Sequence, residues 1–212
     1  MILILINLIF GNLHKENFDK FDLNLYSNNI NEELYNAKIS PRQNIKNIKD
    51  ISLNFIKNFD NPDEKNLLFT GSTGLGKTFL SNCIAKEILS SGKTVLYQTA
   101  PIMLDNILDY KFGNSELNEV YNNMINVDLL IIDDLGVEAL NSFKLSELFN
   151  IINARLLFQN NHITKTIIST NLNMNNLLDT YSERIFSRIA YYYNICRFFG
   201  NDIRLSKITS SQ

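Results

Sequence analysis

A chain of 212 residues can bury roughly 70% of its unfolded surface in one core, and 45% apolar with 20% charged residues exclude a disordered, collagen-like or coiled-coil chain. Its 20 Lys and Arg against 22 Asp and Glu leave a formal charge of -2, which excludes coating nucleic acid by bulk positive charge and leaves room only for a local basic patch. Two cysteines, Cys83 and Cys196, neither frame a disulfide scaffold nor complete a zinc site, so the chain reads as reduced and cytoplasmic.

The opening run Met1–Phe10 (MILILINLIF) is apolar, but a membrane span needs about 20 such residues and a signal peptide a basic leader. We expect neither anchor nor signal there, and no membrane partner. Residues 1–60 read as a lead-in segment and residues 61–212 as the main domain. The lead-in is polar, with apolar patches at Phe18, Phe21, Leu23 and Leu25. Ser40-Pro41 predicts a helix start, followed by Ile45, Ile48, Ser52, Phe55, Ile56 and Phe59 at helical spacing. The turn formers Asp60-Asn61-Pro62-Asp63 close it.

From there apolar runs alternate with helical patterns. Asn66–Thr70 predicts a strand, then a Gly-rich loop and a helix carrying Leu80, Ile84 and Ile88 that stops at Ser91-Gly92. Thr94–Thr99 is a second strand, Pro101–Phe112 helical, and the residues through Asn126 a polar connection. Val127–Asp133 is the continuous apolar run of a strand buried on both faces. Asn141–Gln159 predicts a helix with Leu145, Leu148, Phe149, Ile152 and Leu156 as its stripe, Thr164–Thr170 a strand, Met174–Ala190 a helix and Tyr192–Phe199 a strand. Such alternation gives a three-layer α/β domain with a parallel central sheet.

Four elements carry chemistry. Gly71, Ser72, Thr73, Gly74, Leu75, Gly76, Lys77 and Thr78 fit the P-loop pattern, with strand before and helix after; with Phe79 they form the candidate nucleotide-binding stretch. Its N–H groups would cradle phosphate, Lys77 would reach the β and γ oxygens of ATP, and the Thr78 hydroxyl would join an Mg2+ shell. Asp133 and Asp134 end an apolar strand; Asp133 would hold Mg2+ and Asp134 polarise the attacking water, whereas alone such a pair is a common helix cap or turn. Asn171 closes another strand, where it would orient that water or simply terminate the strand. Arg184 and Arg188 lie one turn apart and Arg204 follows in Asp202-Ile203-Arg204; they suit transition-state phosphate charge, or surface ion pairs with Glu183 and Asp202. From Arg184 to Gln212 five basic residues face one acid.

In this order and spacing the elements resemble the DnaC/DnaI helicase-loader branch of the AAA+ P-loop NTPases, with the IstB transposition ATPases close by. The likeness runs from about Phe18 to Lys207 and rests on Leu68–Ala85, Ile131–Gly136, Ser169-Thr170-Asn171 and Glu183–Arg188. It implies that Gly71–Thr78 is Walker A, Asp133 and Asp134 Walker B, Asn171 sensor 1, Arg188 the arginine finger and Arg204 the sensor 2 arginine. It also implies an ATPase that places a replicative hexameric, DnaB-type helicase on single-stranded DNA and self-associates with ATP. Tyr110, Lys111 and Phe112 would stack on single-stranded DNA or pack as core, and Phe21–Tyr26 precedes the fold where an adenine pocket would lie. Loaders of this branch usually carry an amino-terminal helicase-binding domain, often with zinc, and this sequence has neither the length nor the cysteines for one. The helicase would then meet the ATPase domain itself, or the chain is a shortened version. A transposition ATPase, a small-molecule kinase and a non-hydrolysing scaffold are the competing expectations.

Overall fold

The structure, a computed structural model, describes residues 16–111, 118–157 and 162–205. Met1–Phe10, Phe112 and Lys207 lie outside the described residues, as do the side chains of Tyr110 and Lys111. Five strands, β1 (Asn66–Thr70), β2 (Val95–Thr99), β3 (Leu129–Leu135), β4 (Lys165–Thr170) and β5 (Tyr193–Arg197), form one parallel sheet in the order β2-β3-β4-β1-β5. The helices are α1 (Glu32–Tyr35), α2 (Pro41–Lys57), α3 (Lys77–Ser90), α4 (Ala100–Lys111), α5 (Asn118–Asn126), α6 (Ser142–Leu157) and α7 (Met174–Tyr192).

Strand alternation sorts the core into two layers. Leu67, Phe69, Leu129, Ile131 and Ile167 face α2 and α3, burying Ile45, Phe55, Leu80 and Ile84. Leu68, Leu130, Ile132 and Ile168 face the opposite layer with Met103, Leu148, Ile152 and Ile185. A three-layer α/β fold results, as expected. Right-handed crossovers produce this sorting, because β1 to β2 runs across the sheet one way and every later strand returns the other way. Strand β1, flanked by β4 and β5, thus lies at the switch of direction, where a crevice opens at the carboxyl ends of the strands. At α2 the Ser40 hydroxyl accepts the Gln43 N–H at 3.1 Å and Pro41 opens the first turn, the capping chemistry the sequence predicts.

Three expectations need correction. The stretch before Asn126, expected as a connection, forms α5, whose Met124 is fully buried. Its four asparagines, Asn118, Asn122, Asn123 and Asn126, are weak helix formers and hide the helix, and its last carbonyls are held from a distance. The buried Arg155 of α6 donates to the carbonyls of Met124, Ile125, Val127, Asp128 and Lys165 and to the Thr166 hydroxyl, a cation at a helix carboxyl end. Next, β3 starts two residues late. Asp128 turns its carboxylate onto the Thr94 N–H and hydroxyl, at 2.7 and 2.6 Å, so the ladder begins at Leu129 and carries Asp133 and Asp134 inside the strand. Finally, α7 runs on to Tyr192 and breaks at Ser182, with φ 73 and ψ 157.

Candidate functional site

Beyond β1 the chain turns through Gly71, Gly74 and Gly76, all at positive φ, and enters α3 at Lys77. A methyl on Gly74 would collide with the Asp202 carboxyl and one on Gly71 with the Phe198 carbonyl, so glycine is required for close approach as well as for φ. The loop is tied on three sides. The Gly71 N–H donates to the Thr170 carbonyl at 3.2 Å, the Ile203 N–H to the Gly74 carbonyl at 2.9 Å, and the Tyr26 hydroxyl to the Leu75 carbonyl at 3.0 Å.

Lys77 bends back across this loop. Its Nζ donates to the carbonyls of Gly71 (2.6 Å) and Ser72 (2.9 Å) and to Asn171 Oδ1 (3.1 Å). Burial pulls its pKa down, opposed by the nearby Asp134 and Asp133 carboxylates. A buried ammonium held at the mouth of a glycine loop is a ready partner for an anion.

The two aspartates would point to opposite faces of a regular strand. Between Ile132 and Leu135 the pairing of β3 with β4 gains a residue, and Asp134 adopts φ 56. This bulge brings both carboxylates to one end of the site. Asp133 is buried beneath α3, where its Oδ2 accepts the Thr78 hydroxyl at 3.0 Å. Asp134 lines the cavity; burial raises its carboxyl pKa, and the Asp133 charge adds to the rise. The Ser169 hydroxyl bridges the pair, donating to Asp133 Oδ1 and accepting the Asp134 N–H at 3.2 Å.

A cavity of about 540 Å³ opens over these groups, lined by Thr73, Gly74, Gly76, Lys77, Thr78, Phe79, Asp134, Asn171 and Arg204 among others. Phe79 and Ile203 also line a second hollow of about 110 Å³, walled by Phe21, Asp22, Leu25 and Tyr26. The two spaces adjoin, one rich in donors and charge and the other apolar, as a nucleoside phosphate requires. Thr78 and Asp133 present hard oxygen ligands side by side, the donor set that Mg2+ takes when phosphates complete its shell. Among the described residues no cluster of three or more His, Cys, Asp or Glu could hold a metal on its own.

Most of the sequence-predicted set thus converges. Arg204 reaches the cavity wall, but its guanidinium is engaged by Asp202 through two hydrogen bonds of 3.1 and 2.7 Å. Arg188 does not line the cavity. It lies over the Phe149 ring at 4.4 Å and donates to Asn153 at 2.9 Å, on the face where Arg184 is exposed beside a separate hollow. Sequence reasoning missed Tyr97, Ser169 and the Asp202–Ile203 clamp on the loop. The first two share the alternation phase of Val95 and Ile167, which marks their face of the sheet once the strand order is known. The cysteines are buried, and burial pushes both thiols up to about 12.

The chain is similar to known proteins in both sequence and fold. A family model of IstB-like ATP binding proteins matches residues 24–207. The replicative helicase loader DnaC of Escherichia coli K12 is 28% identical over 160 residues, 74% of this chain and 63% of that protein, so the chain spans less than two-thirds of that relative. The crystal structure of DnaI superposes with a TM-score of 0.67 at 23% identity, covering 91% of this chain and 93% of that one. AMPPCP-bound DnaA from Aquifex aeolicus gives a TM-score of 0.68 at 22% identity, covering 93% and 54%. The fold is that of an AAA+ ATPase domain.

Proposed function

The chain belongs to the IstB-like ATP-binding protein family, and from that premise we propose that it hydrolyses ATP to ADP and phosphate and uses the cycle to help load a replicative helicase onto single-stranded DNA in the cytoplasm. The observation that carries the reading is the convergence of Lys77, Thr78, Asp133, Asp134 and Asn171 at one end of the sheet. Loop N–H groups and Lys77 bind the β and γ phosphates. The apolar hollow beside Phe79 takes the base. Asp134, at the cavity surface with a raised pKa, accepts a proton from the attacking water, and Asn171 holds that water in line. Thr78 and Asp133 would hold Mg2+, which offsets phosphate charge when bound. Arg204 reaches phosphate after leaving Asp202. Arg188, remote from its own chain's cavity, serves a neighbouring copy upon ATP-dependent self-association.

The helicase partner is supported by the likeness to DnaC over 74% of the chain. Among the described residues no helix is long and apolar enough to cross a membrane. The test is ATP hydrolysis by the purified protein, with and without single-stranded DNA, together with capture of a DnaB-type helicase in ATP and in ADP. Slow, DNA-stimulated turnover and ATP-dependent capture are expected. Absence of ATP binding would end the reading. Because the matching family model is that of the IstB-like proteins, capture of a transposase in place of a helicase would move the same chemistry to transposition.

A further inference from the structure

Three hydroxyls converge on one buried carboxylate. Asp133 is only 3% exposed, and among the described residues no Lys, Arg or His forms an ion pair with it. Its charge is held by hydrogen bonds: Ser169 donates to Oδ1, while Thr78 and Tyr97 both donate to Oδ2. Thr78 belongs to the P-loop. Tyr97 belongs to no nucleotide-binding motif and reaches the carboxylate from β2.

The register explains the reach. Tyr97 pairs with Ile131 and Thr99 with Asp133, so Tyr97 and Asp133 project from the same face and are diagonal neighbours, within range of a long side chain. The phenol sits under α3 in a partly buried position. Two donors on one oxygen and a third on the other leave the carboxylate little freedom to rotate. Of the three, Thr78 would itself be a ligand of the metal, whereas Tyr97 on β2 and Ser169 on β4 reach the carboxylate from the sheet.

We propose that Tyr97, with Ser169 on the other oxygen, is the positioning residue that aims the Asp133 carboxylate and so sets the affinity of the nucleotide site for its divalent cation. The proposal rests on the ATP-site reading above. Partners of this kind around a metal ligand typically account for 10–100-fold in affinity. A ring that merely filled space would be replaced by phenylalanine without loss.

The test uses the whole chain with saturating ADP and Mn2+ as the probe, free Mn2+ being read by electron paramagnetic resonance. In parallel, ADP affinity is measured in EDTA. Tyr97→Phe is expected to weaken Mn2+ binding about 10-fold and to leave ADP affinity in EDTA within about twofold of the parent. Ser169→Ala should do likewise, and Ser169→Thr, which keeps the hydroxyl, should retain the parent Mn2+ affinity. Unchanged Mn2+ affinity in a Tyr97→Phe protein that binds ADP normally overturns the proposal. So does an equal loss with and without metal, which marks a structural role. If the parent protein binds ADP but gains no Mn2+ site with it, Asp133 is not a metal ligand and the proposal is overturned, while nucleotide binding stands. If the parent fails to bind ADP at all, the ATP-site reading itself falls and takes the proposal with it.

Discussion

The Lys77 ammonium donates to Asn171 Oδ1 at 3.1 Å, so the P-loop and the end of β4 are joined through the two side chains expected to act on the γ phosphate. Their losses should separate kinetically. Lys77→Ala removes a charge-assisted donor to phosphate, worth about 1.5–3 kcal/mol or roughly 10–100-fold in ATP affinity. Asn171→Ala should leave ATP affinity within a few-fold and lower kcat by about 100-fold or more, the cost of one oriented donor in a transition state. Equilibrium binding of ATP beside steady-state turnover checks both. A fall of affinity alone in Asn171→Ala would remove that residue from the chemical step.

Asp134 gives a prediction with opposite signs for stability and activity. Burial first, and the Asp133 charge second, raise its pKa above 3.8. A carboxyl whose pKa is higher in the folded state binds its proton more tightly there, so its contribution favours folding below the unfolded pKa and is lost as pH rises through the folded value. Neutral Asp134→Asn should therefore unfold at higher urea than the parent at pH 7, with the difference shrinking towards pH 4, while turnover falls by about 100-fold or more. Asn tolerates the left-handed backbone at this position. Parent turnover should fall on the acid side as Asp134 protonates. A variant less stable than the parent at pH 7 would show that the carboxylate is held by the fold rather than strained by it.

Much of this was legible in the sequence because its signals are local. The P-loop spacing, the apolar run ending in Asp133-Asp134 and the strand closing at Asn171 each lie within a few residues, and β1 has the bounds its pattern predicts. The resemblance to the DnaC/DnaI and IstB branch agrees with the family match over residues 24–207. What was illegible depends on pairing between distant segments. The bulge at Asp134 exists only against β4, the carbonyls ending α5 are held by Arg155 some thirty residues on, and Tyr97 meets Asp133 only because β2 and β3 are neighbours. Helix α5 hid for another reason: Asn118, Asn122, Asn123 and Asn126 read as a polar connection, although Tyr121, Met124 and Ile125 keep helical spacing.

Arg204 is paired with Asp202. The guanidinium lines the cavity yet is forked onto the Asp202 carboxylate, which packs against Gly74 of the loop. Asp202→Ala frees the arginine and removes an acid from the edge of the phosphate site. ATP affinity should rise several-fold and ADP affinity less, since the freed side chain would meet the γ phosphate. Arg204→Ala should cancel the gain in the double variant. Titration with fluorescent ATP and ADP analogues checks this, and equal gains for both nucleotides would point to simple relief of charge repulsion at the loop.

Ser182 holds the one backbone conformation in α7 that its side chain opposes, φ 73 with ψ 157, a region occupied essentially by glycine and costing about 1–3 kcal/mol elsewhere. The surroundings enforce it. Tyr181, fully buried, donates to Glu138, and Ile185 is anchored in the core three residues on, so the chain must turn sharply at an exposed position between two fixed points. The turn aims the following segment, with Arg184 and Arg188, along the face remote from the cavity. Ser182→Gly should raise stability by about 1 kcal/mol in urea unfolding, the relief of strain less the extra backbone entropy glycine loses. Ser182→Ala keeps the Cβ and should leave stability unchanged. If both substitutions act alike, the effect belongs to the hydroxyl, and the break in α7 is not a strained one.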